Sequence, residues 1–170
     1  MSLMEPDWNI MIIRAIKFHD FSNCKSLLDM LEDAEFALKY KHELEIKFEE
    51  MVKWFHINNL GITTRSVPPY TEDNKKIDLL GLYMVVKRDG GHTIVTSNNT
   101  WVVVAKDIGF YYNDGELMRI AYAMYLDVLE YYYKFKRVQE KAITKDAIKK
   151  DEKTIHSNTT RKMQKRRRCT

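Results

Sequence analysis

Residues 77–130 decide the fold of this chain, and they read IDLLGLYMVVKRDGGHTIVTSNNTWVVVAKDIGFYYNDGELMRIAYAMYLDVLE. Apolar residues recur in this stretch at intervals of three and four, a pattern that predicts helices with one buried face. We expect three helical segments joined by two loops. Gly90-Gly91 ends the first segment, because glycine adopts the left-handed conformation of a helix C-terminus without steric cost. Asn98 or Asn99 can then cap the second segment.

The second and third segments form a helix-turn-helix pattern. The second runs from Trp101 and ends at Gly109. A short loop, Phe110–Asn113, leads to Asp114, which is a good N-cap for a long helix through Tyr132. This pattern is typical of DNA-binding modules and also of helix pairs that only pack together, so both interpretations stay open here.

Several motifs, in order and at matching spacing, are similar to those of one family. They are Ile77-Asp78-Leu79 with Leu82-Tyr83 and Val86, the Gly90-Gly91 turn followed by Val95, then Trp101, and finally Met118-Arg119, Tyr122, Tyr125-Leu126 and Glu130. Upstream, the family's first core helix is similar to the positions Phe48, Met51, Trp54 and Phe55. The family is ARID, the AT-rich interaction domain of chromatin and transcription proteins. The resemblance covers about residues 44–135, and the tyrosine-rich final helix looks most like plant members.

The resemblance implies an all-α fold, an ARID-like helical bundle that contains the helix-turn-helix. Six glycines and three prolines in 170 residues also favour long helices over a loop-rich β fold. We expect a helical extension over residues 1–43, the ARID-like DNA-binding domain over 44–136 and a helix continuation over 137–150. Residues 151–170 have no apolar period and many basic residues, which predicts a disordered tail.

The resemblance further implies binding of double-stranded DNA. The helix after Asp114 would enter the major groove by its first turns, with Phe110–Asn113 over the groove edge. Asn113 is the best candidate for base recognition, because its amide can pair with adenine. The other expected contacts, mostly to phosphate, are Thr63, Thr64, Arg65 and Ser66 in a long loop, and Lys106, Tyr111, Tyr112 and Arg119 near the helix. An ordinary polar loop remains the alternative for residues 63–66.

Charge is unevenly distributed along the chain, whose net charge is +4. Residues 134–170 carry 14 Lys or Arg and 4 Asp or Glu, whereas residues 44–133 carry 9 and 12. Asp114 and Glu116 stand at the start of the expected recognition helix, where carboxylates repel phosphates. Asp114 has a structural explanation as a helix cap. We therefore expect weak binding of low specificity that favours AT-rich duplexes. The alternative is a protein-interaction module that keeps the ARID fold and has lost most DNA affinity.

The tail contains a basic cluster made of Arg161, Lys162, Lys165, Arg166, Arg167 and Arg168. Such clusters are typical of nuclear import signals and of phosphate-binding arms, and some are only solvated tails. The cluster and the resemblance together predict a nuclear location and a role in transcription or chromatin.

Two further segments are candidates for contact with a protein partner. We expect a helix capped by Ser22 or Asn23, and its leucine stripe either packs against the domain or binds another protein; the stripe consists of Leu27, Leu28, Leu31, Ala34 and Leu38. Tyr131, Tyr132 and Tyr133 cannot all face inward, since neighbours on a helix point about 100° apart.

Other functional classes lack their sequence signals. The five histidines are scattered, Cys24 and Cys169 have no ligand cluster around them, and no apolar run reaches the roughly 18 residues of a membrane span. We expect no enzymatic activity, cofactor, metal or membrane association. Two unmatched cysteines favour a reducing compartment.

Overall fold

The computed structural model describes the backbone of residues 5–168 and the side chains up to residue 153. It divides the chain after Glu130 into two compact units. The helices are α1 (Trp8–Ala15), α2 (Phe21–Met30), α3 (Ala34–Lys39), α4 (Lys41–Asn58), α5 (Leu79–Arg88), α6 (His92–Ser97), α7 (Trp101–Asp107), α8 (Gly115–Tyr125) and α9 (Asp127–Arg168), with a 3-10 turn at Tyr112–Asp114. Over the described backbone there is no β-strand, so the predicted all-α fold is confirmed.

The core of the first unit lies between α4, α5, α7 and α8, whose apolar faces have the spacing that the sequence predicted. Its buried side chains include Leu44, Phe48, Met51, Val52, Phe55, Leu79, Leu82, Tyr83, Val86, Trp101, Val104, Met118, Ala121, Tyr122 and Leu126. Trp101 and Tyr122 meet at 5.8 Å between ring centroids, and His92 stacks on Tyr122 at 5.3 Å. This aromatic cluster fixes α7 against α8, the two helices on which the functional prediction rests.

The N-terminal extension packs on α4 of the same chain. Arg14 on α1 bonds both oxygens of Glu43 on α4, with its NH2 nitrogen 2.7 Å from Oε1. Lys47 Nζ reaches the carbonyl of Ile16 at 2.7 Å. In the leucine stripe, Leu27, Leu28 and Leu31 are fully buried and Leu38 is exposed, so most of the stripe packs internally.

Two helix boundaries in the extension differ from the sequence prediction. The start of α2 is capped by Asp20, whose carboxylate accepts from Ser22 N at 2.8 Å, where we expected Ser22 or Asn23. The single helix expected over the leucine stripe is two helices, because Asp33 turns its carboxylate to Phe36 N at 3.1 Å and starts α3 there.

The decisive stretch contains one more short helix than predicted. Gly90 and Gly91 have φ values of 103° and 99° and end α5 as expected. The six residues of α6 follow, with only Val95 buried, which is too few for a periodic apolar signal. Asn99 is itself left-handed, at φ 54°, and the N-cap position of α7 is held by Thr100 without a side-chain cap bond, where we expected Asn98 or Asn99.

The long final helix is broken at Leu126, which ends α8. The carbonyl of Tyr125 lies 3.0 Å from Nε2 of His56 on α4. Because a carbonyl can only accept, His56 Nε2 is the donor. Across the same break the hydroxyl of Tyr122 donates to the buried carboxylate of Glu130. Neither glycine nor proline marks the break, which is held by these long-range contacts.

Helix α9 extends through residues 151–168, where we expected a disordered tail. Residues 127–168 contain no glycine or proline and are rich in lysine and arginine, both of which are compatible with helix. The side chains of the basic cluster at residues 161–168 lie outside the described residues.

Candidate nucleic-acid interface

Helices α7 and α8 form the predicted helix-turn-helix. Gly109, with φ +85°, leads the chain out of α7, and Phe110 N bonds the carbonyl of Ala105 at 2.9 Å. The 3-10 turn of Tyr112–Asp114 then turns directly into α8. Phe110 is buried beneath this turn, which positions the residues after it at the surface.

Gly115 opens α8 at its closest approach to α7. A Cβ atom at this position would lie 2.9 Å from the backbone nitrogen of Val102 and 3.0 Å from its Cα. Real Cβ contacts are longer than this, so no larger residue fits without moving a helix. Glycine at the start of α8 therefore has a packing reason.

The carboxylate of Asp114 bonds the backbone of the turn that precedes α8. Its Oδ2 accepts from Tyr111 N at 3.1 Å and closes the 3-10 turn. The same side chain makes no cap bond to α8. Asp114 thus occupies the N-cap position of α8 as predicted, but its carboxylate bonds the turn before the helix and does not cap α8.

Glu116 and Arg119 pair on the first turn of α8. Arg119 Nε donates to Glu116 Oε2 at 2.9 Å, and the NH2 group donates to Oε1. The bond from Arg119 holds the pKa of Glu116 below its usual range. The second carboxylate at this helix end is thus neutralised locally by an arginine that we predicted to contact DNA.

The turn before α8 is exposed to solvent. Tyr111 is 80% exposed, and Tyr112 and Asn113 are also at the surface. Lys106 on α7 donates to the Tyr112 hydroxyl at 2.9 Å, and this bond raises the pKa of Lys106. The structure therefore brings together five predicted residues at one end of α8: Lys106, Tyr111, Tyr112, Asn113 and Arg119.

The predicted loop residues lie elsewhere. The guanidinium of Arg65 donates to the carbonyl of Met124, and the hydroxyl of Tyr125 donates to the carbonyl of Ser66 at 2.9 Å. Both contacts are at the C-terminal end of α8, which is about 16 Å long. Thr63 and Thr64 are exposed beside them. The nine predicted residues outside the tail thus form two clusters at opposite ends of one helix.

Lys75 is a residue of the interface that sequence reasoning missed. Its Nζ donates to the carbonyl of Gly109 and lies 4.0 Å from the centre of the Phe110 ring. It borders a groove of about 410 Å³ beside the turn, together with Thr71, Glu72, Asp73, Tyr111 and Asp114. Lys75 follows the predicted loop segment by nine positions, and nothing in its local sequence distinguishes it from Lys76, which bonds Glu45 and Glu49 on α4.

The cations of this face already have acceptors within the chain. Arg119 bonds Glu116, Lys106 bonds Tyr112, and Lys75 bonds a backbone carbonyl. Exposed contacts of this kind are weak and break easily in favour of a better partner. Because an ammonium has three N–H donors and a guanidinium five, each of these cations keeps donors for a phosphate, although Arg119 shares its charge with Glu116.

Several other features bear on function. Cys24 is buried, and burial raises the pKa of its thiol to about 12, whereas Cys169 lies outside the described residues. Among the residues that the structure describes, three or more metal-ligating side chains do not come together. The described helices include none with the length and apolar character of a membrane span.

A family model described as "ARID/BRIGHT DNA binding domain" matches residues 45–135, more than half of the chain. A search of curated proteins found no match, and a search of solved structures found none either. The match confirms the resemblance and leaves the plant-type interpretation a prediction. ARID domains are DNA-binding domains and not an enzyme family. This chain, with its all-helical bundle and its helix-turn-helix, belongs to the ARID family of DNA-binding domains.

Proposed function

We propose that this chain is the DNA-binding module of a nuclear protein that acts in transcription or on chromatin. It binds duplex DNA with low sequence specificity and favours AT-rich sites. The observation that carries the proposal is the exposed turn Tyr111–Asn113 at the N-terminal end of α8, flanked by Lys106 and Arg119.

The N-terminal turn of α8 enters the major groove in this proposal. Asn113 donates to and accepts from an adenine edge, a pairing that its amide geometry favours. The hydroxyls of Tyr111 and Tyr112 and the charge of Lys106 contact phosphates on either side. Lys75 joins them, since its Nζ lies at Gly109 beside the same turn.

The loop at the other end of α8 supplies a second contact. Arg65 and Ser66 hold this loop to α8 through backbone carbonyl contacts, so we assign them an anchoring role. Thr63 and Thr64 are exposed and offer hydroxyls to a phosphate. Two contact regions separated by one helix suit a duplex, whose backbone borders both sides of a groove.

The basic cluster at residues 161–168 serves as a nuclear import signal and as an arm that binds phosphates. The domain itself carries 9 basic and 12 acidic residues between positions 44 and 133, so it draws little general attraction to DNA. The strongly basic segment after residue 134 compensates for this deficit.

A second candidate function is protein binding with little DNA affinity. The internal pairing of Arg119 with Glu116 favours it, because a paired guanidinium offers phosphate less. The extension also supplies a surface for a partner protein: Trp8, Met11 and Ile12 share one exposed apolar face of α1.

Binding of the full chain to AT-rich and GC-rich duplexes, at low and at physiological salt, tests the proposal by fluorescence anisotropy. We expect the full chain to bind the AT-rich duplex more tightly than the GC-rich duplex, and Asn113→Ala to lose DNA affinity. Changing all six residues of the basic cluster to glutamine should make the affinity depend less on salt. Binding that survives Asn113→Ala and vanishes with the glutamine variant would assign DNA contact to the basic segment alone. No binding by any form at low salt would support the protein-binding function.

A further inference from the structure

Helix α9 carries an exposed apolar stripe in the second unit of the chain. Tyr131, Phe135, Val138 and Ala142 follow one another at spacings of four, three and four residues. This alternation keeps side chains on one face of a helix. Tyr131 is 68%, Phe135 50% and Val138 65% exposed, and Ala142 is exposed as well. Residues 131–142 of α9 therefore present a seam of four exposed apolar side chains to solvent.

The seam has the pattern of a coiled coil. Phe135 and Ala142 occupy the first position of successive heptads, and Tyr131 and Val138 occupy the fourth. Ile143 and Ile148 are also exposed apolar residues of α9, but they fall outside these two positions. The apolar layers end at Lys145 and Lys149, which take the next two seam positions.

We propose that the seam binds a second copy of this chain and forms a short, parallel, two-stranded coiled coil. The seam is self-complementary, since two identical apolar stripes cover each other when the helices lie side by side and in register. The four apolar layers are few for a coiled coil, so the dimer dissociates on dilution.

Charges beside the seam select the parallel arrangement. In a parallel pair, the seventh residue of one heptad faces the fifth residue of the next heptad in the partner. Here Lys141 of one copy faces Asp146 of the second copy, and Asp146 of the first copy faces Lys141 of the second. Both residues are exposed, and each pair attracts. An antiparallel pair would place the seventh positions, Lys134 and Lys141, against each other. Like charges would then oppose association.

Sedimentation of the full chain over a range of concentrations tests the proposal without DNA, so the result is independent of the proposed DNA binding. We expect a monomer–dimer equilibrium that Val138→Glu shifts to monomer by at least tenfold in dissociation constant. Ile143→Glu is the matched control, because it adds the same charge to the same helix at 69% exposure, outside the seam. Equal effects of the two variants, or a monomer at every concentration, would overturn the proposal.

Charge exchange tests the parallel register. Lys141→Glu alone and Asp146→Lys alone each place like charges together and weaken the dimer several-fold. The double variant restores the attraction with opposite polarity, so its dissociation constant returns towards that of the parent. A double variant whose dissociation constant is as high as those of the single variants would exclude the parallel pair. If the chain never self-associates and the seam binds a different protein, that protein is the partner and the proposed dimer is wrong. Circular dichroism establishes that each variant keeps its helix content.

Discussion

Arg119 donates two hydrogen bonds to the carboxylate of Glu116 across one turn of α8, at the helix end that we assign to the DNA groove. Both side chains are partly exposed, at 41% and 66%. The contact raises the pKa of Arg119, which keeps its charge, and lowers that of Glu116. A phosphate oxygen and the Glu116 carboxylate therefore compete for the same guanidinium.

Glu116→Gln is expected to raise DNA affinity several-fold. Glutamine keeps the size of the side chain and removes the charge that both occupies Arg119 and repels phosphate. One phosphate contact changes the slope of log affinity against log salt by about 0.9, so we expect the slope to become steeper by about one. Anisotropy titrations at several salt concentrations measure both quantities.

The same substitution in an Arg119→Gln background separates competition from simple repulsion. If Glu116 acts by occupying Arg119, most of the gain disappears when the arginine is gone. A gain of equal size in both backgrounds would show that Glu116 only repels the duplex.

Trp101→Ala is expected to destabilise the domain by about 3–5 kcal/mol, the range for removal of a buried aromatic side chain. Trp101 is 5% exposed, packs against His92 and Tyr122, and donates from Nε1 to Thr96 Oγ1 at 3.2 Å. Urea denaturation followed by circular dichroism measures the change. Trp8→Ala is the control, because Trp8 is 66% exposed and its loss should change the free energy of unfolding by less than about 0.5 kcal/mol. Equal effects of the two variants would contradict the assignment of Trp101 to the core.

Gly115→Ala is expected to destabilise the helix-turn-helix. Alanine favours helix by about 1 kcal/mol over glycine, but its Cβ overlaps the backbone of Val102, and overpacking of this kind costs about 1–3 kcal/mol. Gly115 has φ −55°, so backbone strain does not contribute. Urea denaturation of the variant measures the balance.

The clash at Gly115 involves backbone as well as side chain, which allows a control. Val102→Ala removes the Cγ1 atom that lies 2.9 Å from the added Cβ but leaves the backbone nitrogen at the same distance. The double variant should therefore remain destabilised. Full recovery in the double variant would mean that only the valine side chain excludes alanine.

Local signals in the sequence predicted most of the elements. The spacing of apolar residues located α4, α5, α7 and α8, and the Gly90-Gly91 pair located the end of α5, because side-chain direction and glycine conformation are properties of a few neighbouring residues. The order of these segments also predicted the helix-turn-helix, and the family resemblance added its interpretation as a DNA-binding unit.

Long-range contacts account for what the sequence did not predict. The break at Leu126 depends on His56, which is 69 residues from Tyr125 in sequence. Lys75 lies at the candidate interface because it bonds the carbonyl of Gly109, 34 residues away in sequence. Arg65 lies at the other end of α8 because it bonds the carbonyl of Met124, 59 residues away. The sequence does not show which end of α8 a loop residue contacts, because the packing of the folded chain determines this.

His56 makes the stability of the domain dependent on pH. The ring is buried, and burial lowers the pKa of His56 below the usual 6.5. The bond to the Tyr125 carbonyl acts to raise this pKa, whereas the charge of Arg65 lowers it further. In the unfolded chain the ring takes up a proton near pH 6.5, whereas the folded chain does not until lower pH. Protonation therefore favours unfolding: the contribution of His56 is complete above about pH 6.5 and is lost as pH falls towards the folded pKa.

His56→Gln is expected to flatten this part of the pH profile, because the glutamine amide can still donate to the Tyr125 carbonyl and does not titrate. Urea denaturation of the parent and the variant from about pH 7.5 to pH 5 gives the two profiles, and their difference isolates His56 from the carboxylates that protonate at lower pH. His42→Gln, at an exposed position on the same helix, is the matched control substitution. Parallel profiles for the parent and His56→Gln would show that the pKa of His56 is the same in the folded and unfolded chains, which would contradict the effect of burial on the ring.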